Sequence, residues 1–400
     1  MSRSESDNSF VREKAFGQGL ETGQKVIPLT KPFLIGNELD YIRQTIDRGN
    51  TAGDGFFTES CCRILREKFG LDNVLLVSSG TTALDLCAAL LDLQEGDEVI
   101  LPPYTFVATV NAFVRMGAKP VFVDVRSDTL NIDETKIEAA ITSRTKAIVP
   151  VHYAGVGCEM DAIMELARSR NIPVIEDAAQ GLDAYYRSRP LGTFGELSIY
   201  SFHEAKNVTA GQAGAVCVNV KEFIERAEIL RDKGTNRRKF FRGEVPKYEW
   251  VDIGVGHALS EIIAAFLYAQ LESMDKIAER RRHQVETYRT LLDPLERAGH
   301  FESFRPPSHC TTNNHIFYLM LRSEAERDQL ISHARSRGVA IAFHYTPLHA
   351  SPMGQRWGYQ AGDFPVTEQI ASRLARLPLY HDLTENDQHR VCEVVRSFFK

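Results

Sequence analysis

Between residues 70 and 220, short unbroken apolar runs alternate with segments of helical periodicity, and this alternation confines the fold more tightly than any other feature. The candidate strands are residues 74–77, 98–101, 120–124, 147–151 and 173–176, with two more at 198–202 and 215–218 around a polar loop. Between them, Leu84, Cys87, Leu90 and Leu91 fall on one face of a helix. Ile163, Leu166, Ala167 and Arg170 repeat the pattern, with Asp161 near the start. Apolar runs without alternation mark strands buried on both sides. Such strands separated by helices predict an α/β fold with a mostly parallel sheet between two helical layers.

The remainder is less regular. Residues 234–256 are rich in Gly, Arg, Lys and aromatics and lack periodicity, so they read as a long functional or interface loop. A helical stretch over 260–295 bends near Asp275. The Pro306-Pro307 pair marks a break before a small α+β unit. That unit has strands at 315–321 and 339–344, a helix at 324–335 and a last helix from Glu385. The expected organisation is a flexible arm over 1–25, a large α/β domain over 26–275 and a small C-terminal α+β domain over 276–400.

Charge and cysteine content narrow the function classes. Lys and Arg total 47 against 53 Asp and Glu, a formal charge of −6, which gives no basic face for nucleic acid. The 7 cysteines are scattered with no CxxC pair, so neither a disulfide framework nor a zinc site is indicated. No metal is expected, and a reducing cytoplasmic compartment fits. The first 25 residues are polar, without the apolar core of a secretory signal. The apolar runs fall far short of the roughly 20 residues that span a bilayer.

Three constellations carry chemistry. Ser78-Ser79-Gly80-Thr81-Thr82 follows a strand and opens a helix, where N–H groups and hydroxyls hold an anion; an ordinary helix cap has the same composition. Val174-Ile175-Glu176-Asp177 puts an acid at the carboxyl edge of the sheet, where open α/β folds bind ligands, with Gln180 close behind. Lys206 lies in a Gly- and Ala-rich loop between two strands, a place where an amine can be desolvated and made nucleophilic. His203-Glu204 lacks the second histidine of a zincin. Anion cradle, acid and amine, in that order, are the parts that pyridoxal phosphate requires for its phosphate, its ring nitrogen and its aldehyde.

The runs SSGTTAL, LPPYTFVAT, PVHYAG, VIEDAAQ, SFHEAKN and HYTPLH resemble the DegT/DnrJ/EryC1/StrS sugar aminotransferases over about residues 26–400. The resemblance implies a fold-type-I pyridoxal 5′-phosphate enzyme with a large, mostly parallel seven-stranded sheet. The segments GDGFFT, VHYAGVGCEMD, DKGTNRRKFFRGEVPKYEWVDIG and HYTPLH look closest to the branch that makes dTDP-4-amino-4,6-dideoxygalactose. The implied reaction moves an amino group from L-glutamate to a dTDP-linked 4-keto-6-deoxy sugar, in a homodimer with shared active sites. Transfer to another position, epimer or nucleotide sugar is the near alternative, and a non-catalytic sensor of the same fold the distant one. A dehydratase of this fold carries His where Lys206 stands.

Residue by residue, the resemblance makes Lys206 the catalytic amine that bonds to the cofactor. Asp177 pairs with the ring nitrogen, and Gln180 reaches the phenolic oxygen. Phe106 stacks on the ring, with Tyr104 a second contributor. Gly80, Thr81 and Ser201 hold the phosphate. His344, Tyr345 and His349 on the HYTPLH run, together with Arg237, are placed near the substrate, although a histidine there could equally be structural. One departure stands out: Gly256 occupies the position of an asparagine that in many relatives reaches the neighbouring subunit's phosphate. Asn236 or Arg237 could substitute, and Arg238, Lys239 and Arg242 form a basic cluster suited to a diphosphate.

Overall fold

The computed structural model describes residues 26–400; the arm expected over 1–25 lies outside the described residues. The strands form where the apolar runs predict them, as β1 (Asn73–Val77), β2 (Glu98–Leu101), β3 (Lys119–Phe122), β4 (Thr145–Ile148), β5 (Ile175–Asp177), β6 (Leu197–Ser201) and β7 (Gly214–Val218). They run side by side in the order β1-β7-β6-β5 and β4-β2-β3. Parallel bridges of Ile148 with Val174 and Val151 with Asp177 join the halves into one seven-stranded sheet. Only β7 runs against its neighbours. The strands around β2 begin and end a few residues earlier than the apolar runs do. Parallel pairing of Ile100 with Val121 and Ile148 sets their register, and the apolar residues beyond are buried without laddering.

Side-chain alternation sends the two faces of this sheet to different layers. Val74 and Leu76 of β1 pack with Ala215 and Cys217 of β7 beneath helices α1 (Glu38–Asp47) and α2 (Phe56–Phe69). Leu75, Val77, Val216 and Val218 face the other way, toward α3 (Gly80–Leu90), α4 (Val107–Val114) and α6 (Lys221–Arg231). Helix α5 (Met160–Arg170) covers the far end, through Ile163, Met164 and Ala167. The stretch expected to bend near Asp275 is two helices, α7 (Glu261–Glu272) and α8 (Met274–Arg297), parted at Ser273.

The C-terminal residues add β8 (Glu302–Ser303), β9 (Tyr318–Met320) and β10 (Leu374–Arg376), backed by α9 (Glu324–Ser336) and α10 (Glu385–Phe398). The strand expected over 339–344 does not form. Val339 bridges Ile27 and Ala342 bridges Arg376, so the segment pairs one residue at a time with two different neighbours. The supposed loop 234–256 is tied at its base by antiparallel bridges of Asp232 with Gly256 and Thr235 with Trp250, and it contains the short helix Arg237–Phe241. All seven cysteines are buried and unpaired. No helix among the described residues is long and apolar enough to cross a membrane.

Candidate active site

The carboxyl ends of β5 and β6 and the start of α3 meet in a pocket of about 320 Å³. Ser79 caps α3: its hydroxyl accepts the Thr82 N–H at 3.0 Å while the Thr82 hydroxyl accepts the Ser79 N–H at 2.9 Å. Thr82 is therefore spent on the cap. The N–H groups of Gly80 and Thr81 lie in the first turn, where no carbonyl of the helix can reach them, and both residues line the pocket. Close packing enforces glycine here. A Cβ on Gly80 would come within 2.9 Å of the Ser201 Cβ, and one on Gly214 within 2.4 Å of the Ser79 backbone. Ser201, on the last residue of β6, thereby presents its hydroxyl beside the helix start.

Asp177 ends β5 and is almost wholly buried. Its carboxylate accepts hydrogen bonds from the Thr109 hydroxyl at 2.7 Å and the Ala179 N–H at 3.1 Å. Neighbouring Glu176 points to the opposite face. There it accepts from the N–H groups of Gly192, Phe194 and Gly195 and from the His152 ring, within the core. Strand alternation alone decides which acid of the pair reaches the pocket.

Lys206 follows β6 in a turn closed by its own N–H on the His203 carbonyl at 2.8 Å. The residue is half-buried, yet its amine lies inside the pocket wall. Desolvation lowers its pKa from 10.5 to about 8, with Asp177 pulling upward and the Arg376 charge pushing down. An amine so placed is partly neutral at physiological pH.

Around these groups lies a ring of polar contacts. Gln180 accepts the Ala154 N–H at 2.9 Å and donates to the Tyr345 hydroxyl at 3.0 Å. Tyr345 stacks on His344 with ring centroids 3.7 Å apart, and His344 Nδ1 meets the Tyr153 hydroxyl at 2.6 Å. Phe106, the residue before α4, lines the pocket and is 56% exposed. Tyr104 is buried beside Tyr153 and does not line the pocket.

Two sequence candidates lie elsewhere. His349 is fully buried, with Nε2 2.8 Å from the Glu368 carboxylate and its ring against Phe364. Arg237 stands outside the pocket of its own chain, over the Phe241 ring. Nor are the loop cations free for a diphosphate. Arg238 pairs with Asp54 and Glu228, Lys239 with Glu225, and Arg242 with Glu228 and Glu244. Asn236 spends its side-chain oxygen on the Glu249 N–H.

Thr109, His315 and Arg376 also line the pocket; Thr109 closes the LPPYTFVAT run without having been assigned a role, and nothing in the local sequence of the other two singled them out. His315 is held with Nδ1 3.0 Å from the Asn207 side-chain oxygen. Burial, with the charges of Lys206, Arg281 and Arg376, drives its pKa well down, so the ring is neutral. Because the Asn207 amide already donates to the Asn313 carbonyl, its oxygen accepts, and the His315 proton resides on Nδ1.

A family model described as the DegT/DnrJ/EryC1/StrS aminotransferase family matches residues 34–396. The chain belongs to this family. It is 32% identical to a GDP-perosamine synthase of Escherichia coli O157:H7 over 94% of this chain and 99% of that protein. It is 35% identical to the uncharacterized protein MJ1066 of Methanocaldococcus jannaschii, over 84% and 88%. The aminotransferase TlmJ of Streptoalloteichus hindustanus superposes with a TM-score of 0.86 at 30% identity, covering 94% of this chain and 99% of that one.

As a DegT/DnrJ/EryC1/StrS aminotransferase, the chain is a pyridoxal phosphate-dependent enzyme of the aminotransferase fold. The pocket fits that cofactor. It offers a cradle that a Cβ at Gly80 or Gly214 would fill, an anchored carboxylate and a buried amine of lowered pKa.

Proposed function

We propose that the enzyme aminates carbon 4 of a nucleotide-linked 4-keto-6-deoxy sugar, with L-glutamate as donor. The specific reaction we infer converts dTDP-4-dehydro-6-deoxy-D-glucose to dTDP-4-amino-4,6-dideoxy-D-galactose and 2-oxoglutarate. The observation that carries the chemistry is the desolvated Lys206 amine sharing one pocket with Asp177 and the open first turn of α3. The likeness to a protein named GDP-perosamine synthase supports a nucleotide-linked sugar as partner in the reaction.

Pyridoxal phosphate, when bound, supplies an electron sink for the charge left as a proton leaves the carbon beside the reacting amine. The chain does the rest. Gly80 N–H, Thr81 N–H and the Ser201 hydroxyl would hold the phosphate, Asp177 would hold the ring nitrogen in its protonated form, and Phe106 would cover a ring face. Lys206 would anchor the cofactor at rest. Freed, it removes the proton from the α-carbon of glutamate and in the return half delivers one to carbon 4 of the sugar. Gln180, through Tyr345, braces the wall that His344 also forms.

The reading includes a homodimer. Phe241, Trp250 and Ile253, in the excursion between Asp232 and Gly256, are 67%, 78% and 82% exposed, a density of apolar side chains that favours a protein partner. It also includes a cytoplasmic setting and a division of the chain into 26–275 and 276–400, supported by the break between α7 and α8 at Ser273.

The test is incubation of the enzyme with L-glutamate and either dTDP- or GDP-linked 4-keto-6-deoxy sugar, with the product's C4 configuration read by NMR. A galacto-configured dTDP-4-amino sugar is expected. Lys206→Ala should still bind the cofactor and yield no amino sugar; turnover by that variant would refute the assignment.

A further inference from the structure

Arg376 is a pocket cation with no hydrogen-bonding or ionic partner for its side chain among the described residues. It ends β10, where its backbone exchanges hydrogen bonds with Ala342, its N–H donating to the Ala342 carbonyl at 2.7 Å. From there the side chain lines the pocket beside His315, His344, Tyr345 and Lys206. No carboxylate among the described residues pairs with its guanidinium, and its Nε is buried with no hydrogen-bond acceptor. Three buried arginines, by contrast, are engaged. Arg231 is forked onto Asp54, Arg327 meets Glu324 and Asp328, and Arg281 donates to the carbonyls of Asn314 and His315. The pocket's own acid, Asp177, is occupied by Thr109 and Ala179. A guanidinium left unpaired in a recess costs free energy unless an anion joins it there.

Resting on the aminotransferase reading above, we propose that Arg376 receives the α-carboxylate of the amino-acid donor. Chemistry selects that anion. The α-carboxylate is one bond from the carbon on which Lys206 acts, and Arg376 is near enough to Lys206 for its charge to act on the amine. A nucleotide sugar's diphosphate is separated from carbon 4 by the full width of the pyranose ring. The planar fork of arginine suits a carboxylate through two parallel hydrogen bonds. Neutral His315 beside it adds no competing charge.

The test compares holoenzyme and Arg376→Gln by absorbance in each half-reaction. Arg376→Gln should need about 10- to 100-fold more L-glutamate for the same spectral change, as loss of a charge-assisted hydrogen-bonded pair implies. The concentration of γ-aminobutyrate, which lacks the α-carboxylate, needed for half of the spectral change should match the wild type, and so should that of the keto sugar, whatever the change in rate. Arg376→Lys should recover part of the glutamate response. Equilibrium titration with 2-methylglutamate, which has no α-proton to lose, should weaken by the same factor. Should Arg376→Gln fail to fold, the wild type itself decides, since isoglutamine, the α-amide, must then act about 10- to 100-fold more weakly than glutamate. Unchanged glutamate saturation, equal use of isoglutamine, or a loss confined to the keto-sugar half overturns the assignment. A wild-type spectrum unmoved by any amino acid overturns the aminotransferase reading along with it.

Discussion

The hydroxyl of Thr109 donates a 2.7 Å hydrogen bond to the carboxylate of Asp177, 68 positions further along the chain. Thr109 belongs to α4 and Asp177 to β5, so the contact locks a helix to the edge of the sheet where the pocket lies. It also fixes the orientation of the carboxylate. Thr109→Val keeps the shape and removes the donor. We expect its affinity for pyridoxal phosphate to fall about 10-fold, the worth of one hydrogen bond to a charged group, while Thr109→Ser stays near wild type. An absorbance titration of the apo chain reads this directly.

Capture of the cofactor's aldehyde requires the neutral Lys206 amine. With a pKa lowered to about 8, chiefly by desolvation, the neutral fraction grows as pH rises through that value. The rate at which apo enzyme takes up pyridoxal phosphate should therefore climb with pH and level off above about 8 to 9, two units before an ordinary lysine would. In Arg376→Gln the midpoint should move upward, because a cation that disfavours the charged amine is gone. Stopped-flow absorbance across pH 6 to 10 tests both statements.

At Gly80 the space for a side chain is taken. A Cβ there would lie 2.9 Å from the Ser201 Cβ and 3.1 Å from its hydroxyl. Gly80→Ala should push Ser201 away from the helix start and weaken cofactor binding at least 10-fold, at a cost of about 1–3 kcal/mol in stability from overpacking. Calorimetry of the apo chain separates the two effects.

Asp54 accepts from both terminal nitrogens of Arg231 at 2.7 and 3.1 Å, and Arg231 is wholly buried. Asp54→Ala strands that charge, and we expect a loss of about 3 kcal/mol. Burial alone would raise the Asp54 pKa, but Arg231 and Arg238 together hold it below 3.8. Its contribution is thus complete above the unfolded value and lost as pH falls through the lower folded one. Denaturation at pH 7 and pH 3 should show the Asp54→Ala deficit shrinking in acid.

His349 serves the fold, through Glu368 and Phe364. His349→Ala should lower stability by about 2–3 kcal/mol through a buried cavity and a stranded partner. Its glutamate half-reaction at a permissive temperature should be nearly unchanged. A stable variant with a failed half-reaction would return His349 to the active site.

Much of this architecture was readable locally. The unbroken run at 74–77 and the Ser-Ser-Gly-Thr-Thr sequence after it become β1 and the capped start of α3, because strand burial and helix capping are decided within a few residues. Gly80, Thr81, Asp177 and Lys206 line one pocket, as their order along the chain implied, and Ser201 and Phe106, which only the family resemblance named, line it with them. The excursion at 234–256 was harder. Its cations look available in sequence, yet Asp54, Glu225 and Glu228 neutralise them from other elements.

The chain's own sequence determined the layers, the strands and the residues at the sheet's carboxyl edge, since each follows from periodicity or chemistry over a short window. Only the tertiary structure decided that Thr109 would brace Asp177, that His349 would turn into the core, and that Arg376 would stand beside Lys206 without a counter-ion. These outcomes depend on pairings between residues far apart in the chain, and the electrostatic state of a buried group is fixed by whatever packing brings against it.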